Sequence, residues 1–216
     1  PYRWDADYAN RLGLMARDGD AQSVRWFEVE PGYVFHPVNT YEREDGAVVM
    51  DVIRHPRVFA TDLCGPNEGA THLHRYVLDS VAGVATEHQL DDIPTELPRI
   101  NETLMGEPYR YGYAIGFGPK GEHGDTFKYD LDTGGVESMS HGPGRVSLEP
   151  VFVPRADGTA EDDGWLLQVV YDAGRDGSDL VVTDAQDFGG GPVATVRLPQ
   201  RVPFGFHGNW VPTSEM

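Results

Sequence analysis

The sequence predicts an all-β fold of many short strands. Three observations carry that prediction. Short runs of β-branched and aromatic residues recur along the chain. The 26 Gly and 16 Pro lie between those runs as scattered punctuation and never form a low-complexity block. No stretch of about a dozen residues sustains a helical period. In chain order the strand candidates are Val24–Val29, Ala47–Ile53, Leu73–Leu78, Tyr109–Ile115, Thr126–Leu131, Trp165–Tyr171 and Leu180–Asp184. Turn signals such as Glu44-Asp45-Gly46, Asp132-Thr133-Gly134-Gly135 and Asp163-Gly164 bound them. The one weak helical pattern covers Ala6 to Leu14.

Composition narrows the class. Hydrophobic residues are 39% of the 216 and aromatics 11%, enough to build a core. Lys and Arg number 17 against 35 Asp and Glu, a formal net charge of −18. Such a surface repels phosphate backbones and anionic lipid, which argues against nucleic acid as a partner. One cysteine, Cys64, excludes an internal disulfide framework and a multi-cysteine zinc site. No apolar run is long enough to span a bilayer, and no charged-then-apolar leader is visible. The expectation is one domain over residues 1–216, cytoplasmic, without a membrane span. The abrupt start at Pro1 reads as a cut through something longer.

Internal repetition decides between a sandwich, a barrel and a propeller. Three segments, starting at His74, Phe127 and Leu180, share a skeleton. Each gives a strand ending in Asp, a Gly-containing turn, a Val-centred strand, a polar loop, then a Glu or His entering an apolar strand. Asp79 to Glu96 and Asp132 to Glu149 are both 17 residues apart. Phe35-His36-Pro37-Val38 supplies an earlier example of the last step. The four residues at this station are His36, Glu96, Glu149 and His207, with gaps of 60, 53 and 58. A four-stranded blade takes about 40–50 residues, so each gap is one blade with generous loops. Innermost strands of a propeller converge on its axis, and one polar residue per station gives a ring of converging side chains.

His36 and His207 sit in nearly apolar surroundings, PGYVFHPVN and PFGFHGNW. A lone histidine there is most often a satisfied core residue. The shared station and the intervening glutamates favour a second reading, an imidazole ligand whose other N–H goes to a carboxylate. In sequence order round the axis, Glu96 neighbours His36 and Glu149 neighbours His207.

These residues resemble the carotenoid cleavage oxygenases, over about Pro1 to Pro212. The motifs are FHPVNTYE around His36, ELPRIN followed by PYRYGYA, LEPVFVPR around Glu149, EDDGWLLQVVYD, LVVTDAQDF and VPFGFHGNW around His207. The resemblance implies a seven-bladed β-propeller holding one non-haem Fe(II) by four histidines, three of them backed by glutamates. His36 and His207 match two of the ligands, and Glu96 and Glu149 two of the backing glutamates. The other ligands lie N-terminal to anything in this sequence, so the chain is expected to cover about the last four blades. The implied activity is cleavage of a C=C bond with O2, in a carotenoid, an apocarotenoid or a stilbene-type phenolic, with a missing N-terminal half as partner. Phe35, Phe204 and Phe206 either line the substrate tunnel or fill space between blades. The rival is a non-catalytic β-propeller binding module that has lost the metal site.

Other motifs take plain readings. His72 and His74 share a strand face, a possible metal pair but more simply a solvated strand. Gly116–Gly121 lacks the phosphate-loop spacing, and Asp130–Gly135 lacks the closing Glu of a calcium loop. Asn101-Glu102-Thr103 is a glycosylation sequon. Cys64 has no basic neighbour to activate it.

Overall fold

The computed structural model describes residues 2–63, 68–118 and 121–213. Cys64 therefore lies outside the described residues, as does part of the Gly116–Gly121 loop. Strands β1 (Arg11–Leu14) and β2 (Arg25–Glu28) form an antiparallel pair. Three larger antiparallel sheets follow in strict chain order. The first contains β3 (Tyr33–Glu42), β4 (Val48–His55), β5 (His72–Asp79) and β6 (Val84–Gln89). The second contains β7 (Thr95–Ile100), β8 (Tyr111–Phe117), β9 (His123–Asp130) and β10 (Gly135–Met139). In the third, β11 (Arg145–Ser147) and β12 (Val151–Pro154) share one side of β13 (Gly164–Asp172), and β14 (Gly177–Asp184) and β15 (Pro192–Arg197) follow on the other. All seven predicted strands are present.

The chain divides into two compact units, one chiefly of residues up to Pro94 with Gly106–Pro108, the other of Thr95–Met105, Tyr109–Gly118 and residues from Glu122 onward. In the first unit, register places Val48, Val52, Tyr76 and Leu78 on one sheet face. There they bury Phe27 of β2, with Leu12 and Leu14 of β1 packed alongside. This explains why Ala6–Leu14 is no helix. Leu12 and Leu14 alternate inward as a strand must, and Gly13 lies so close to the Trp26 ring that a Cβ would meet it at 2.9 Å. Tertiary pairing overrides a weak local preference.

His72 and His74 share a strand face as expected, but the strand is not solvated: His74 is buried. Its Nδ1 lies 3.0 Å from Glu87 Oε1, which also forms an ion pair with Arg54, its Nε 2.9 Å away. Burial, with Arg54 and His72 adding to it, pushes the His74 imidazolium down to about 4. The imidazole is thus neutral at neutral pH, and Arg54 is the cation that balances Glu87.

In the second unit, Tyr113, Met139, Phe152, Leu166, Ala185 and Phe188 form the core. Lys128 on β9 is buried in it, bonded by Nζ to Asp162 at 2.8 Å and to the Ala185 carbonyl at 2.7 Å, with the Tyr111 ring 4.5 Å away. A buried ammonium is tolerated because carboxylate, carbonyl and π-face all meet it.

The repeat is real but its register differs from the spacing of 17. Asp79 and Asp130 each end a strand, and each carboxylate accepts the N–H groups two and three residues on. Each carbonyl receives a glycine N–H at 2.8 Å, from Gly83 and Gly134, both at φ near +70°. Asp130, not Asp132, is therefore the counterpart of Asp79. The last station also departs from expectation: residues 198–212 form no strand, so His207 enters none. Pro199 and Pro203 carry no N–H, and Gly205 and Gly208 favour no extended ladder.

Candidate metal centre

Each of the three sheets is interrupted at its station in the same way. On β3, Val34 pairs with Arg54 and Pro37 with Val52, leaving Phe35 and His36 opposite Ile53 alone. On β7, Glu96 pairs with Ile115 and Arg99 with Tyr113, leaving Leu97 and Pro98 opposite Ala114. Between β11 and β12, the Leu148 N–H reaches the Val169 carbonyl and Val151 pairs with Leu167, leaving Glu149 and Pro150 opposite Gln168. Two residues against one is a β-bulge, the device that bends a strand and re-aims a side chain. A proline takes part in every one, closing the first as Pro37 and lying within the others as Pro98 and Pro150. Having no N–H, it forfeits nothing where the ladder breaks.

Glu149 is the best-defined side chain of the set. Its carboxylate is 4% exposed and accepts from three donors. Oε1 takes His207 Nδ1 at 2.9 Å, while Oε2 takes the Gly208 N–H at 2.9 Å and Arg99 Nη1 at 2.8 Å. An ionised carboxylate only accepts, so Nδ1 is the nitrogen that donates to Glu149, and Nε2 is the one turned away from it. The imidazole is 57% exposed. It borders a cleft of about 260 Å³ with apolar walls that include Val151, Leu167, Val169 and Phe206. This donor set fits a metal: an imidazole oriented through Nδ1 by a buried carboxylate offers its Nε2 in the way first-row ions bind.

His36 is half-buried on the β3 bulge, with Phe35 beside it making an edge contact with His55 at 5.0 Å between centroids. Glu96 is 2% exposed, and its Oε2 accepts the Leu97 N–H at 2.6 Å. Leu97 has φ +51°, a left-handed conformation that costs a branched side chain energy and marks the bulge as locally strained. The structure thus brings together Glu149 and His207. It places His36 and Glu96 in separate units, each at the same kind of bulge. Among the described residues, no three His, Cys, Asp or Glu side chains come together as a metal-holding group. Phe204 makes an edge contact with Tyr171 at 5.3 Å, and Phe206 is exposed. Among the described residues, no helix is long and apolar enough to cross a membrane.

Sequence reasoning missed Arg99. Beside its bond to Glu149 it gives Nη1 to the Gly208 carbonyl at 2.9 Å and Nη2 to Glu102. A signal was present, since Arg99 belongs to the ELPRIN motif, three residues after Glu96.

Comparison with known proteins gives a consistent result. The family described as retinal pigment epithelial membrane protein matches residues 1–212. A carotenoid cleavage oxygenase of Mycobacterium tuberculosis is 42% identical over 99% of this chain and 44% of its own length. An isoeugenol monooxygenase of Pseudomonas nitroreducens is 30% identical over 98% of this chain and 48% of its own. A crystal structure of cobalt-substituted apocarotenoid oxygenase from Synechocystis superposes with a TM-score of 0.87 at 32% identity, covering 96% of this chain and 45% of that one. The chain therefore spans a little under half the length of these relatives, and its all-β sheets are the C-terminal part of their propeller fold. Matched along almost all of its length in both sequence and structure, the chain belongs to the retinal pigment epithelial membrane protein family, the carotenoid cleavage oxygenases.

Proposed function

We propose that this chain furnishes the C-terminal part of a non-haem Fe(II) dioxygenase that cleaves a C=C bond with O2. The substrate is a carotenoid, an apocarotenoid or a stilbene-type phenolic, a range supported by relatives named for carotenoid and for isoeugenol oxidation. In the net reaction both atoms of O2 become carbonyl oxygens of the two products. Iron, when bound, supplies coordination positions open to O2 and the electron chemistry that dioxygen requires.

The chain's own residues do the rest. His207 and His36 present imidazole nitrogens as two of the ligands, and the remaining ligands come from the other part of the protein. Glu149 holds His207 in the Nδ1–H tautomer, and Glu96 is the second glutamate that the family resemblance counts among those backing the ligands. The apolar walls beside His207 exclude water and accept hydrocarbon. No side chain here is required as a general acid or base. The observation that carries the proposal is the 2.9 Å bond from His207 Nδ1 to a buried, triply bonded Glu149.

The test is metal content and turnover of the complete enzyme after anaerobic loading with Fe(II). His36→Ala and His207→Ala each lose retained iron and cleavage of an apocarotenal and a stilbene. Full iron and activity in either variant overturns the ligand assignment. An unaltered protein that retains no iron is instead a binding module.

A further inference from the structure

We propose that Arg99 is the positioning residue of the His207 half-site, fixing the imidazole by clamping the Gly208 peptide against Glu149. The inference rests on the reading of His207 as a ligand. Its basis is that His207 lies on a segment with no strand ladder to hold it. Few other backbone ties reach that segment: the Leu198 N–H goes to the Ser178 carbonyl at 2.9 Å, and the Val202 N–H to Ser178 Oγ at 3.0 Å.

At the histidine itself the arrangement closes into a ring of bonds. Glu149 Oε2 takes the Gly208 N–H, and Arg99 Nη1 gives to both that same oxygen and the Gly208 carbonyl. Gly208 is thus held at both its donor and its acceptor by one ion pair, and the residue before it is the candidate ligand. Arg99 is itself held: Nη2 gives to Glu102, Asn209 Oδ1 lies 3.5 Å away, and the side chain is 13% exposed. A guanidinium suits this task because its planar fork serves several acceptors in fixed directions. An ammonium supplies the charge without the fork. Arg99 touches neither the proposed metal nor the cleft, so its effect passes through Glu149 and Gly208.

The test uses the complete enzyme loaded anaerobically with Co(II), whose visible bands report coordination geometry. Titration gives affinity, and hydrogen exchange of residues 203–210 reports how firmly the loop is held. Arg99→Met lowers Co(II) affinity ~10-fold, within the range for residues that orient a ligand. It also alters the band pattern and speeds exchange at 203–210, while Arg99→Lys recovers part of all three. A merely structural role lowers the melting temperature but leaves the bands and affinity of the folded protein unchanged, and that result overturns the proposal. Should Arg99→Met fail to fold, Arg99→Lys decides: native affinity, bands and exchange overturn it, intermediate values support it. His207→Ala separates the two readings. If it binds Co(II) as tightly as the unaltered protein, the ligand assignment fails. If it loses Co(II) while Arg99→Met behaves as the native protein, the Arg99 role alone fails.

Discussion

Glu149 serves three donors with two oxygens, two of them from one short loop and the third, Arg99, from β7. Removing its charge while keeping its size isolates what that charge does. Glu149→Gln is expected to lower iron affinity by ~10–100-fold, because an amide presents an N–H where Arg99 and Gly208 already donate. Glu96→Gln, at the second glutamate of the resemblance, is expected to fall in the same range. Titration of Fe(II) into the anaerobic complete enzyme measures both, and native affinity in both variants would reduce these glutamates to structural residues. The Glu149–His207 pair was legible in the sequence because a repeated station put them in register. Arg99 was not, since its role depends on the tail returning beside β7, and no periodicity records that return.

Two features recur from sheet to sheet. One is the bulge, whose best-tied example lies opposite Gln168. That side chain is 1% exposed and gives its amide to Thr126 Oγ1 at 2.9 Å and to the Leu148 carbonyl at 3.1 Å, one residue before Glu149. Gln168→Ala leaves buried polar partners unmatched and is expected to destabilise the protein by about 1–3 kcal/mol, read as a lower urea midpoint; an unchanged midpoint would mean the bulge stands without it. The other is an Arg–Asp clamp: Arg75 on Asp51, Arg110 on Asp130, and Arg145 with Arg175 on Asp172 and Asp179. The arginines hold Asp130, Asp172 and Asp179 below the ordinary value of 3.8, for Asp179 against the opposing effect of its burial. A carboxyl depressed in the folded state stabilises it above the unfolded value and loses that contribution as pH falls through the folded one. Thermal unfolding between pH 5 and 2 should therefore show a melting temperature that falls mainly below 3.8, and Arg145→Met should flatten that fall. An identical pH dependence in the variant would remove the clamp from the explanation. The strands themselves were legible because β-branched and aromatic runs alternate. The helix over Ala6–Leu14 was misread because the strand alternation of Leu12 and Leu14 is too short to stand out in sequence, and only the pairing with Phe27 on β2 decides it. The Asp132 register was misread because Asp132, and not Asp130 two residues before it, repeats the 17-residue spacing to the glutamate, and only the hydrogen bonds to Asp130 reveal the true counterpart.

At the scale of the molecule, the chain spans under half of its relatives' length, and on the proposed reading it supplies two of four histidine ligands. Residues 1–216 expressed alone are expected to show no cleavage of a stilbene or an apocarotenal after anaerobic Fe(II) loading. Outer strand β15 is exposed throughout, with Val193 and Val196 facing solvent, and an uncovered strand edge recruits other chains. Self-association is therefore expected in sedimentation, whatever solubility the −18 charge confers. Turnover by a monodisperse monomer would contradict both expectations. The fold class was legible from strand density and repetition, whereas the contacts that join sheets were not, because they pair residues far apart in sequence. Lys128 and Asp162 are such a pair, 34 positions apart and buried together. Anyone recombining this chain with a relative inherits a constraint from them. A crossover between positions 128 and 162 that brings in a parent lacking the matching charge strands an ion in the core, at a cost of about 3–5 kcal/mol. Joins placed before Lys128 or after Asp162 keep the two together, so the useful segments for exchange are limited by long-range bonds of this kind and not only by the visible boundaries between sheets.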